Sequence, residues 1–144
     1  TSGVAIDFTG IPAGTKFIAI HFAGVSGNGT SNPLIQIGPA AAPETTGYHG
    51  SGVNQAGGTA NYTTGFGINQ ASAASIFHGT ILLFLENSAA FTWTCFGILG
   101  QSNGAAGNYV GGSKSLAAEL TQVRITFVNG SDAFDAGVIN VSYN

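Results

Sequence analysis

Residues 76–100 read IFHGTILLFLENSAAFTWTCFGILG, two apolar runs separated by Asn87-Ser88-Ala89-Ala90. Ile76 to Glu86 and Phe91 to Gly100 are rich in Ile, Leu, Phe and Thr and are bounded by turn formers, so together they predict a β-hairpin. On the second run Phe91, Trp93, Cys95 and Leu99 fall on one face, and Thr92, Thr94, Phe96 and Ile98 on the other. With apolar residues on both faces, the expectation is a hairpin of two largely buried strands. Trp93, mid-strand among apolar neighbours, reads as core. Cys95, the only cysteine, reads as a small buried hydrophobe and excludes an intrachain disulfide.

The same pattern extends outward from this hairpin. Towards the N-terminus, Val4 to Phe8 predicts a strand that stops at the turn Thr9-Gly10-Ile11-Pro12-Ala13-Gly14. Lys16 to Val25 predicts a second, with Ile18, Ile20 and Phe22 on one face and Phe17, Ala19, His21 and Ala23 on the other, a pattern compatible with cover on both. Leu34 to Gly38 is a short strand ending at Pro39. Residues 44–60, ETTGYHGSGVNQAGGTA, are too polar and glycine-rich to bury much beyond Tyr48 and Val53, and predict an exposed excursion. Tyr62 to Ile68 is a weak strand and Asn69 to Ser75 a connection. Towards the C-terminus, Gln101 to Gly107 predicts a loop and Asn108 to Gly111 a short strand. Lys114 to Leu120 lacks the length and apolar stripe of a helix and reads as turn or strand entry. Leu120 to Val128 and Ala136 to Tyr143 predict a closing hairpin around Asn129-Gly130, with Gly137 marking a bulge. The sum is one domain over residues 1–144, an all-β antiparallel sandwich, jelly-roll-like, of about nine strands.

Composition narrows the function. Only 9 of 144 residues are charged and the net charge is -3, whereas Gly, Ser, Thr and Asn make 60. Three basic residues cannot neutralise a run of phosphates, which argues against nucleic acid and against anionic membrane surfaces. No apolar run approaches the roughly 18 residues of a transmembrane helix, so no membrane insertion is expected. Thr1-Ser2-Gly3-Val4 lacks the basic and apolar regions of a signal peptide, consistent with a segment excised from something longer. A sheet protein with 44% apolar residues and few edge lysines favours a multi-chain assembly.

The two ends carry a resemblance. AIDFTGIPAGTKFIAIHFAGVSGNG (5–29) and LTQVRITFVNGSDAFDAGVINVSYN (120–144) resemble the C-terminal domains of tailed-bacteriophage tail fibres and related prophage tail proteins, and the likeness extends loosely over the chain. The resemblance implies a β-sandwich tip at the end of a trimeric fibre, a homotrimer on the virion made in a bacterial cytoplasm. Its partner would be a surface structure of the bacterial host, usually a polysaccharide. A structural virion protein, in a baseplate or capsid decoration and without receptor binding, is the alternative. The four N-x-Ser/Thr sequons at Asn28, Asn61, Asn129 and Asn140 carry no glycosylation in that setting.

Catalysis finds little equipment. Glycoside hydrolysis needs two carboxylates across a sugar bond, and only Asp7, Glu44, Glu86, Glu119, Asp132 and Asp135 exist. Asp132 and Asp135 read first as turn residues bonding nearby amides. There is no GxSxG elbow, HExxH, phosphate loop or dinucleotide fingerprint, so no catalytic residue, cofactor or metal is expected. His21 and His78 lie in predicted strands and read as satisfied packing residues. On a three-fold axis one histidine or aspartate would become three convergent ligands, which stays open. Binding equipment is easier to find, because a sugar takes an aromatic face plus amide or hydroxyl hydrogen bonds. Tyr48, His49, Asn54, Gln55, Tyr62, Asn103, Asn108 and Tyr109 supply such groups in loop-like segments and are the candidate ligand-binding residues.

Overall fold

A computed structural model describes residues 2–56, 58–70 and 72–144. Among the described residues eleven strands form: β1 (Ala5–Thr9), β2 (Phe17–Gly27), β3 (Pro33–Gly38), β4 (His49–Asn54), β5 (Gly58–Tyr62), β6 (Phe66–Gly67), β7 (Phe77–Asn87), β8 (Thr92–Gln101), β9 (Ala106–Ser115), β10 (Gln122–Phe127) and β11 (Phe134–Tyr143). They divide into a four-stranded sheet ordered β1-β10-β3-β6 and a seven-stranded sheet ordered β11-β2-β7-β8-β9-β4-β5. Every pairing is antiparallel. The architecture is therefore an antiparallel β-sandwich, with unequal sheets where a jelly roll divides eight strands. No described residue is helical, and 114–121 is the end of β9 followed by a loop.

The core fills the space between the sheets. Ile18, Ile20 and Phe22 of β2, Ile81 and Leu83 of β7, and Trp93, Cys95 and Leu99 of β8 face Ile35 and Ile37 of β3 and Val123, Ile125 and Phe127 of β10. Burial pushes the Cys95 thiol pKa up, so it stays protonated and inert. The hairpin read from residues 76–100 is present as β7–β8, in register from Leu85↔Trp93 to Phe77↔Gln101.

Three expectations need correction. The excursion of residues 44–60 is a strand pair, β4 and β5, added to the edge of the seven-stranded sheet. Glycine allows this by close approach: a Cβ on Gly52 would sit 2.5 Å from the Gly67 carbonyl oxygen, so β4 lies against β6 only because Gly52 has none. These two strands account for eleven where about nine were expected, and the weak strand at 62–68 shrinks to the end of β5 plus the two residues of β6. Second, β10 and β11 are not a hairpin, because they lie in different sheets. Residues 128–133 cross between the sheets, held by the Asn129 side chain accepting the Ser131 and Asp132 amides and by Asp132 accepting the Ser31 amide. The apolar faces of both strands point inward, so they pack across the core instead of pairing. Third, β2, β7 and β8 are covered on the inner face only; outside, Phe84, Phe96 and Ile98 are 43%, 57% and 50% exposed. Gly137 does mark a bulge, at φ 80° with a register shift between Ala136 and Val138.

Candidate functional site

The pairing register fixes what the outer face of the seven-stranded sheet presents. One row across it is Leu82, Phe96, Gly111, Ser51 and Asn61; the next is Thr80, Ile98, Tyr109, Val53 and Thr59. A ridge thus stands over β7 and β8, formed by Phe84, Phe96 and Ile98, with the Phe84 ring 5.2 Å from that of Phe17. Beside it the surface drops, because β9 offers Gly111 where β8 offers Phe96. The depression is a groove of about 490 Å³ bordered by His49, Ser51, Asn61, Thr63 and Gly111. Tyr109, 44% exposed, stands at one end of this stretch and His49 near the other. Their separation of four residues along adjacent strands is about 13 Å. The outward positions of β2, β8, β9, β4 and β5 include no Asp, Glu, Lys or Arg.

The eight candidate residues separate into two groups. His49, Gln55, Asn103 and Tyr109 are exposed, and His49 and Tyr109 share the face just described. Gln55 directly follows β4, its side-chain Oε1 accepting the Gly107 amide. Asn103 latches a loop, accepting the Ile76 amide and donating to the Ala74 carbonyl. Tyr48, Asn54, Tyr62 and Asn108 are buried, which corrects their expected place in exposed loops. Burial pushes the Tyr62 phenol pKa up to about 12, and its hydroxyl lies 3.3 Å from Asn69 Oδ1. Asn54 donates to Asn108 at 2.8 Å and to Gln101 at 3.0 Å, an amide cluster that closes one end of the sandwich. Tyr48 accepts the Ile37 amide at 2.8 Å and lies 2.9 Å from the Glu44 carbonyl. The two segments containing the candidates, 44–62 and 101–112, meet as neighbouring strands and not as loops at one end.

His21 and His78, read from the sequence as satisfied packing residues in strands, lie on the outer face. His21 sits between the hydroxyls of Thr80 at 3.1 Å and Ser142 at 3.0 Å, and His78 accepts the Gly24 amide. They are satisfied, as expected, but exposed. Among the described residues no three His, Cys, Asp or Glu side chains gather as a metal site would require. Five of the six carboxylates hold structural contacts. Asp7 accepts two hydrogen bonds from Arg124, Glu44 pairs with Lys114, Glu119 accepts the Gly14 amide, Asp132 the Ser31 amide and Asp135 the Ser26 hydroxyl.

A second groove of about 490 Å³ lies on the opposite side of the molecule, over the four-stranded sheet, and includes Arg124, Gln36 and Thr126. Neither this groove nor the ridge of β7 and β8 was legible in the sequence. Both arise from which of two apolar faces the opposing sheet leaves uncovered, and alternation within one strand is silent on that.

No family model matches the sequence, and no curated protein matches it. Among solved structures, a homodimeric agglutinin from chicken liver is similar at TM-score 0.39 and 8% identity, over 96% of this chain and 99% of its own. A lactose-liganded congerin II gives 0.36 and 10% over 94% and 99%, and a toad ovary galectin in complex with thio-digalactose 0.34 and 11% over 97% and 99%. At such scores these likenesses assign neither a family nor a function.

Proposed function

We propose that this chain is a non-catalytic adhesion domain, the receptor-binding tip of a bacteriophage tail fibre, working as a homotrimer that holds a bacterial surface polysaccharide. The observation that carries the reading is the outer face of β8, β9, β4 and β5, whose outward positions hold no Asp, Glu, Lys or Arg and where an apolar ridge runs beside a groove of hydroxyl and amide groups. A pyranose ring has apolar C–H faces and a polar edge, so an aromatic ring beside neutral hydrogen-bonding groups suits it. Tyr109 supplies the ring, and His49, Ser51 and Asn61 supply the partners. The ridge of Phe84, Phe96 and Ile98 supports the assembly, since contiguous exposed apolar surface marks an interaction site. Three copies per fibre then convert weak single sites into firm attachment. The absence of catalysis is supported by the engagement of five of six carboxylates in structural contacts.

The site is tested by removing its aromatic ring and by filling its groove. Tyr109→Ala and Ser51→Leu, each checked for an unchanged thermal melt, are expected to weaken retention on immobilised host polysaccharide about tenfold, roughly 1.4 kcal/mol. Retention equal to the unaltered chain in both variants would remove the groove from the proposal. The second reading, a structural virion protein, is favoured by the ridge alone, because subunit packing needs the apolar strip and makes no use of the groove.

A further inference from the structure

The groove over the four-stranded sheet has a floor of polar side chains that are already oriented. Arg124, opposite Asp7 in the register, donates from Nε and Nη2 to its two carboxylate oxygens at 2.6 and 2.8 Å. Gln36, next to Arg124 on the other side, is 7% exposed and donates to the Thr64 carbonyl at 2.9 Å. Thr126 donates to the Val4 carbonyl at 2.8 Å. Each bond spends one end of its side chain and leaves the other: Arg124 Nη1 as donor, Gln36 Oε1 and Thr126 Oγ1 as acceptors. Val4 and Val128, 49% and 50% exposed, give the groove apolar flanks. Its volume of about 490 Å³ falls within the range of small-ligand sites, roughly 300–1,000 Å³.

The chemistry of the floor selects the ligand. Asp7 cancels the charge of Arg124, so a phosphate or carboxylate gains no net attraction, while adjacent fixed donors and acceptors fit neighbouring hydroxyls that both give and take hydrogen bonds. We propose that this groove is a second saccharide subsite, taking an uncharged hexopyranose unit through vicinal hydroxyls held by Arg124, Gln36 and Thr126. The inference rests on the polysaccharide-binding reading and adds a site on the face of the sandwich opposite the first. One chain would then touch a polymer at two places, and a trimer at six.

The test is a titration of the isotope-labelled chain with glucose, galactose, mannose and N-acetylglucosamine, followed by amide and Arg Nε–H resonances. The expected result is saturable shifts at Gln36, Thr64, Thr126 and Arg124 with at least one sugar. Arg124→Lys keeps the charge opposite Asp7 but loses the planar fork, and is expected to weaken those shifts at least tenfold while Gly111 and Ser51 respond as before. Thr126→Val, nearly isosteric, serves as the second variant should Arg124→Lys disturb the fold. Shifts confined to the β9–β4–β5 groove, no shift with any of the four sugars, or unweakened shifts in a folded variant would each overturn the subsite. Adhesion of the same labelled chain to bacterial cells, read in parallel, shows whether the wider reading stands when the subsite falls.

Discussion

At the scale of single residues, a tyrosine in a polar stretch carries opposite meanings depending on where its ring goes. Tyr48 and Tyr109 look alike in sequence, each beside glycine or asparagine, yet the first is 1% exposed and the second 44%. Tyr48 packs edge-on against Phe66 at 5.1 Å, lies under the Lys114 ammonium and ties the loop before β4 to β3 through its hydroxyl. Burial raises the pKa of that phenol well above its ordinary value. Tyr48→Phe would leave the buried Ile37 amide without its acceptor, and a loss of about 1–3 kcal/mol is expected in urea unfolding. Tyr109→Phe keeps the exposed ring and should move the unfolding midpoint hardly at all.

Lys114 and Glu44 give a second residue-scale expectation. Burial works against the Glu44 charge, but the Ala117 amide and the Lys114 ammonium 2.5 Å away outweigh it and hold the carboxyl below its usual range. The hydrogen bonds from Arg124 lower Asp7 in the same way, and that from the Asn129 side chain lowers Asp132. A depressed carboxyl pKa contributes stability that is present above the unfolded value and is lost as pH falls through the folded one. Stability should therefore be flat at neutral pH and decline below about pH 4, near the unperturbed carboxylate values. In Glu44→Gln that decline should be shallower, which acid titration of the denaturation midpoint measures. An equally steep decline would show that the pair contributes nothing.

Among the elements, legibility followed apolar alternation. β2, β7 and β8 were clear because Ile18-Ile20-Phe22 and Trp93-Cys95 repeat at period two, although alternation left open which of two apolar faces turns inward. β4 and β5 were hidden because their pattern is made of absences. Gly50 and Gly52 sit where an inward side chain would be, and the packing depends on backbone touching backbone, which no hydropathy scale registers. Gly52→Ala should accordingly cost about 1–3 kcal/mol, since the obstructing atom is a main-chain oxygen unable to rotate away. A thermal melt within one degree of the unaltered chain would show that β4 can lift from β6. The supposed hairpin of β10 and β11 misled for a different reason. Asn129-Gly130 does turn the chain, with Gly130 at φ 67°, but the turn serves a crossing between layers, and only the long-range partners β3 and β2 decide that.

For the whole molecule, the two outer faces of the sandwich differ. The larger sheet shows an apolar ridge and an uncharged groove; the smaller shows an ion pair set among amide and hydroxyl groups. The low charge of the composition already pointed to association, while which strands carry the ridge and which border the grooves needed the sheet order. The ridge leads to a direct expectation: light scattering at micromolar concentration should report three times the chain mass, and Phe96→Asp, which puts a charge into the ridge, should reduce it to one. A single-chain mass for the unaltered protein would refute the trimer.

The central claim is adhesion to a bacterial surface. Its most direct test is binding of the fluorescently labelled chain to a panel of bacterial strains, with competition by polysaccharide extracted from each. Binding restricted to some strains and abolished by the polysaccharide of those strains is the predicted result; no binding to any strain, the virus's own host among them, would contradict the account and leave a structural part of the virion in its place.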